Sequence, residues 1–271
     1  MSDWMSDEII VHNIHLHYLR TGGGGPPLVL CHGITDNAAC WRSVAQAFEK
    51  DYDVLMVDAR GHGLSDAPET GYSPEDRAAD LAAFVQALDL DKPSLLGHSM
   101  GADTIALAAA TYPDHAGCVI LEDPPWTTGV ESEAGRAAMA AEWRAKMLQR
   151  KSLSLEEIIA AGHQQHPNWP EAELSDWAEA KHQVSLHVLQ AMAGFGLHWR
   201  DTAAAIPCPV LLIRGDPELG GLVGPQVAEE LATRHPRIQV AHLTGAGHSI
   251  HRERFELFVE TVADFLSRTR G

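Results

Sequence analysis

Ser99 stands at the centre of Gly97-His98-Ser99-Met100-Gly101, a Gly-x-Ser-x-Gly pentapeptide, with the apolar run Ser94-Leu95-Leu96 before it and an alanine-rich stretch, 102–110, after it. A serine carried on a sharp turn from strand to helix needs flanking residues with almost no side chain, because the turning backbone passes too close for a Cβ. Its hydroxyl then projects at the carboxyl edge of a sheet, beside the positive end of the following helix. That placement suits a nucleophile that accepts an acyl group, and Ser99 is read as the nucleophile of a hydrolase.

The rest of the chain supplies elements able to hold such a turn. From Glu8 to Arg20 the residues alternate, with a turn at His12-Asn13, which predicts an antiparallel hairpin. Short, almost wholly apolar runs follow: Leu28 to Cys31, Val54 to Val57, Ser94 to Leu96, Cys118 to Leu121 and Val210 to Ile213, with a weaker one from Ile238 to Leu243. Runs without alternation suit strands buried on both faces of a largely parallel sheet. Helical patterns separate them, at Trp41 to Phe48, Pro74 to Leu88, Gly101 to Thr111, Gln226 to Arg234 and Glu253 to Leu266; the last puts Phe255, Phe258, Val259, Val262, Phe265 and Leu266 on one stripe.

The stretch 126–199 breaks this rhythm. It shows helical patterns and no strand-like run, and it holds five of the seven tryptophans together with Met139, Met147 and Met192. The expected fold is therefore α/β: a mostly parallel, doubly wound sheet formed by 1–125 and 200–271, with 126–199 inserted after the fourth parallel strand as a helical lid. Most of the lid's large side chains are expected to hold its helices together rather than to touch a substrate.

Four further segments fall where a serine hydrolase needs them. His32-Gly33-Ile34-Thr35 follows the first parallel strand and Asp58-Ala59-Arg60-Gly61-His62-Gly63-Leu64-Ser65-Asp66 the second. Gly245-Ala246-Gly247-His248 follows the last, and acidic residues follow the fourth and fifth. Together with residues 97–101 these resemble the α/β-hydrolase superfamily over essentially the whole chain, and their order is more specific than any one of them. The resemblance implies that Ser99 attacks, that His248 takes its proton and later delivers it to the leaving group, and that the backbone N–H groups of Ile34 and Met100 form the oxyanion hole. The turn containing His62 is a family feature with a structural role, and His251, outside the Gly-rich context of His248, is expected at the surface.

The third member of the triad is where the chain departs from the family's common pattern. Most members place it a few residues beyond a glycine that ends the fifth parallel strand; after Gly215 that position holds Glu218, with Asp216 closer to the glycine. Other branches take it from the end of the preceding strand, where Asp123 sits beside Glu122 and ahead of Pro124-Pro125. Asp123 leads, with Asp216 and Glu218 as alternatives.

Serine at position 99 excludes the branches that use an aspartate nucleophile, the haloalkane dehalogenases and epoxide hydrolases. The Trp, Met and Leu content of the lid, without an Arg-rich cluster, points to an apolar acyl or aromatic group. The reading is a carboxylic ester hydrolase for small to medium apolar acyl groups, acting through an acyl-enzyme. A lactonase of the acyl-homoserine-lactone type is the alternative, followed by a C–C bond hydrolase or a ligand-binding protein on the same scaffold.

The resemblance implies a small-molecule ester or lactone as the partner. With 20 basic and 37 acidic residues the formal charge is −17, which disfavours nucleic acid and anionic membrane surfaces. A basic, apolar leader and a run of membrane-spanning length are both missing from the pattern, so a cytoplasmic protein is expected. Cys31, Cys40, Cys118 and Cys208 show no CxxC spacing and read as core residues. Among the 16 histidines, His15 and His17 share one strand face but lack a third ligand of recognisable spacing, so neither metal nor cofactor is expected.

Overall fold

A computed structural model describes residues 4–129, 132–167 and 169–269. The alternating segment forms an antiparallel hairpin of β1 (Met5–Val11) and β2 (Ile14–Arg20). It turns on His12 and Asn13, whose φ angles of 49° and 61° match the two-residue turn that suits strand twist. The apolar runs become β3 (Pro27–Cys31), β4 (Asp53–Val57), β5 (Ser94–His98), β6 (Cys118–Glu122), β7 (Val210–Arg214) and β8 (Ile238–His242). The sheet order is β1-β2-β4-β3-β5-β6-β7-β8, parallel from β4 onward, with β2 antiparallel to β4.

Alternate residues of each parallel strand enter two different cores, which is why the runs are apolar throughout. Leu28, Leu30, Leu96 and Ile120 pack on one face with α1 (Arg42–Phe48) and α10 (Phe255–Thr269). Val29, Leu95, Val119 and Leu212 pack on the other with α2 (Pro74–Ala87), α3 (Met100–Thr111) and α8 (Pro225–Arg234). Each fully buried aliphatic side chain of this kind contributes roughly 1.5–3 kcal/mol relative to exposure. The helix expected over 253–266 is α10, which starts at Phe255 and is separated from the short preceding α9 (Ile250–Glu253) by Arg254 at φ −136° and ψ 54°.

Because β3 is flanked by β4 on one side and β5 on the other, the chain reverses its direction of winding there, and a crevice opens at the carboxyl ends of the strands. Residues 33–34, 99, 123 and 248 all lie on loops leaving carboxyl ends, after β3, β5, β6 and β8 respectively.

Between β6 and β7 the described residues form helices and no strand: α4 (Glu133–Lys151), α5 (Leu155–Gln165), α6 (Glu171–Gln183), a 3₁₀ segment (Leu186–Ala193) and α7 (Trp199–Ala205). Ser132 caps α4, and Ser154 with Glu157 forms a capping box on α5. Polar contacts fasten α6 to the loop after β3. Lys181 Nζ donates to Asp36 Oδ1 at 2.7 Å, and Asn37 Nδ2 donates to Gln183 Oε1 at 2.8 Å. No helix among the described residues is long and apolar enough to cross a membrane, and all four cysteines are buried and unpaired.

Candidate active site

Ser99 occupies a strained turn, at φ 53° and ψ −114°, between β5 and α3. The two glycines of the pentapeptide are steric necessities. A Cβ on Gly97 would lie 2.5 Å from the Gly101 carbonyl carbon, and one on Gly101 would lie 2.1 Å from the Cys31 carbonyl oxygen. A non-glycine residue at positive φ costs on the order of 1–3 kcal/mol, and the neighbouring strand helps to hold it, since Ser99 N donates to Glu122 O at 2.9 Å. Met100 opens α3, so its N–H belongs to the first helical turn, which has no intrahelical acceptor. Ile34, on the loop after β3, is fixed from behind by His62, whose Nε2 lies 2.8 Å from Ile34 O.

The structure separates the three carboxylates considered for His248. Asp123, fully buried at the end of β6, accepts from His248 Nδ1 at 2.6 Å and from Leu222 N and Val223 N at 2.8 and 3.0 Å. A carboxylate partner puts the ring proton of neutral His248 on Nδ1 and leaves Nε2 able to accept one. Asp216 is engaged elsewhere: it accepts from His242 Nε2 at 2.5 Å and from Gly245 N at 2.7 Å. The Gly245 amide and the His242 imidazole hold its carboxyl below the ordinary aspartate range. Glu218 is exposed on a short 3₁₀ turn, Pro217–Leu219. Asp216 thus braces the start of the loop that carries His248, and neither alternative reaches the imidazole. The cause is the strand order: β6 lies inside β7, and its end points at the loop after β8.

Behind Ser99 and His248 lies a buried cluster that the sequence did not reveal. His98 Nε2 donates to His248 O at 2.9 Å, and the two rings sit 4.5 Å apart. His251, expected at the surface, is buried, with its backbone N 2.8 Å and its Nδ1 2.9 Å from Glu122 Oε1. Burial pushes the Glu122 carboxyl up to about 7 and pulls His98 and His251 down to about 3, so both imidazoles are neutral near pH 7. The only sequence signal for this cluster was the adjacency of His98 to Ser99 and of Glu122 to Asp123.

Ser99, His248 and Gly33-Ile34 open into one cavity of about 500 Å³, ordinary for a small-molecule site. Trp143, Met139, Met192 and Phe195 give it apolar surface, as the composition of 126–199 suggested. The surprise is cationic: Arg136, Arg150, Lys181 and Arg252 line it as well. They come from α4, α6 and α9, too far apart in sequence to read as a cluster. Among the described residues no group of three or more His, Cys, Asp or Glu side chains is placed to hold a metal ion.

Residues 26–255 match the family model of the alpha/beta hydrolase fold. The chain is 29% identical to 2-(acetamidomethylene)succinate hydrolase of Mesorhizobium japonicum, over 98% of each chain. It is 32% identical to N-formylmaleamate deformylase of Pseudomonas putida, over 95% of each. Among solved structures, that of E-2-(acetamidomethylene)succinate hydrolase superposes with a TM-score of 0.83 at 26% identity, covering 97% of this chain and 99% of the other.

Proposed function

The chain belongs to the alpha/beta hydrolase family, and we propose that it is a serine hydrolase that cleaves a carboxylic acyl bond through an acyl-enzyme. In this reading His248 Nε2 takes the Ser99 proton as Oγ attacks the acyl carbon, and the N–H groups of Ile34 and Met100 receive the oxyanion. As the tetrahedral intermediate collapses, His248 returns the proton to the leaving nitrogen or oxygen. Water, deprotonated in turn by His248, releases the acid and restores Ser99. Asp123 holds the tautomer and stabilises the imidazolium in both halves.

The observation that carries this reading is the 2.6 Å bond from His248 to buried Asp123 on a ring that shares its cavity with the strained Ser99. An amide is favoured over the ester expected from composition, because the two relatives aligned end to end are named for an N-formyl and an acetamido substrate. The intervening helices act as the substrate-selecting lid. The test is turnover of matched amides, esters and lactones by purified protein, with Ser99→Ala as the control. Serine-dependent turnover with amide preference supports the proposal; ligand binding without turnover in the wild type moves it to a binding protein.

A further inference from the structure

Two of the cations on the cavity wall are already neutralised. Lys181 pairs with Asp36 at 2.7 Å, and Arg252 pairs with Asp36 at 3.1 Å and Glu173 at 3.3 Å. Both cations and both acids are buried, so the charges of this cluster balance, although Arg252 Nη2 is left without a hydrogen-bond partner, and it binds α6 to α9 and to the loop after β3. Arg150, near the end of α4, differs. It is half-buried, and among the described residues it has no carboxylate within ion-pairing distance. Its guanidinium carbon lies 5.5 Å from the centre of the Trp177 ring, the same ring that Lys181 Nζ approaches to 4.8 Å. The His166 ring, stacked 3.9 Å from Trp169, completes that wall. The positive potential there is felt by His166, held below its usual pKa by burial and then by Arg252, Lys181 and Arg150.

A half-buried charge without a partner is costly unless something else supplies the counter-charge. In a chain with 37 acidic and 20 basic residues, partners for an arginine are abundant, yet the carboxylate whose charge reaches this one, Asp36, is already ion-paired with Lys181 and Arg252. We infer that Arg150 is the seat of a carboxylate carried by the substrate, held on the Trp177 wall of the cavity that contains Ser99. The planar fork of a guanidinium matches a carboxylate bidentately, and a single uncompensated charge matches a monoanionic group better than a phosphate dianion. This goes against the apolar acyl group expected from lid composition. It deepens the proposed function and rests on it, since the carboxylate would orient the acyl bond toward Ser99.

The test compares kcat/KM for the mono-4-nitrophenyl esters of succinate, glutarate and adipate with chain-matched neutral 4-nitrophenyl alkanoates, because the span from Arg150 to Ser99 selects the chain length. Wild type should favour one of the anionic esters by about tenfold or more. Arg150→Met should lower that preference at least tenfold, through KM, and Arg150→Lys should restore part of it. Lys146→Met removes an equal charge from the exposed face of α4 and should leave the preference intact. An unchanged preference in Arg150→Met, or an equal loss in Lys146→Met, overturns the inference. A turnover-independent arm separates it from the hydrolase reading. Calorimetry of free succinate, glutarate and adipate on Ser99→Ala should show binding that Arg150→Met in the same background weakens at least tenfold. Equal binding by both proteins, or none by either, overturns the carboxylate seat whatever the fate of the hydrolase proposal.

Discussion

On the sheet side of the cavity, the groups proposed to react hang from loops at strand ends, and the atoms that position them are buried. Asp123 takes three donors, Ser99 N is bonded to Glu122 O, and His98 holds the His248 carbonyl. On the helical side the wall is a mixture of aromatic faces, methionines and cations, several of them half-exposed, joined to the sheet in part through the Asp36, Lys181, Glu173 and Arg252 cluster. One side is over-determined and the other is adjustable. A scaffold so divided keeps one reaction while its substrate changes, because chemistry and selection depend on different residues.

Ser99→Ala should break the first side outright. Turnover is expected to fall by ~10³-fold or more, with thermal unfolding close to wild type, because the Ser99 hydroxyl faces the cavity and Ala fits the turn as well as Ser. Retention of more than a tenth of wild-type turnover would remove Ser99 from the mechanism.

The next effect in size belongs to the acid. Asp123→Asn keeps the shape of the side chain but cannot stabilise an imidazolium, so kcat should fall by ~10²-fold or more with little change in KM. Asp216→Asn and Glu218→Gln, measured on the same substrate, should each cost less than about tenfold. A large loss at 216 or 218, with Asp123→Asn near wild type, would mean that the loop after β7 rearranges around His248 when substrate binds.

The same contrast explains what could be read from sequence. Strand and helix positions were legible to within a residue or two wherever a run was long and apolar, because burial on both faces leaves a pattern that tolerates little else. The Ser99 turn is legible because steric demand falls two residues to either side, at 97 and 101. The acid was only partly so: Asp123, Asp216 and Glu218 all sit at strand ends, and the choice depends on which strand end faces the loop after β8. His251 is buried rather than at the surface because its partner, Glu122, is distant in sequence and joins it only through the fold. The cations of the cavity leave no sequence signal for the same reason, being spread over three helices whose common destination is tertiary.

A smaller effect is expected at His98, whose hydrogen bond runs to the main chain of His248 and whose ring packs beside the His248 ring. Loss of one buried hydrogen bond is worth roughly 1 kcal/mol, so His98→Leu should lower kcat about five- to tenfold without raising KM. His98→Gln, which returns an N–H donor near the position of Nε2, should recover most of the loss. Equal defects in both variants would show that His98 merely fills space.

The smallest effect on turnover, and the most direct probe of how rigid the sheet side is, comes from its buried histidines. His62, His98 and His251 are each pulled down to about 3 by burial, whereas the unfolded chain binds those protons near 6.5. A depressed folded-state pKa gives stability that is present above 6.5 and lost as the pH falls toward 3. Glu122, raised to about 7, acts in the opposite sense. The unfolded chain gives up that proton near 4.5 and the folded chain near 7, so this group stabilises the fold as the pH falls from 7 to 4.5. Three imidazoles outweigh one carboxyl, and the net slope between pH 6 and 5 should be a loss of stability on acidification. Each proton counts for roughly 1.4 kcal/mol per pH unit at most. Denaturant unfolding of wild type and His98→Gln across that window checks both the sign and the source: the variant, with one fewer buried imidazole, should lose stability less steeply by about one proton. Parallel curves would place the acid sensitivity away from the sheet edge, and stability rising from pH 6 to 5 would mean that Glu122 dominates the cluster.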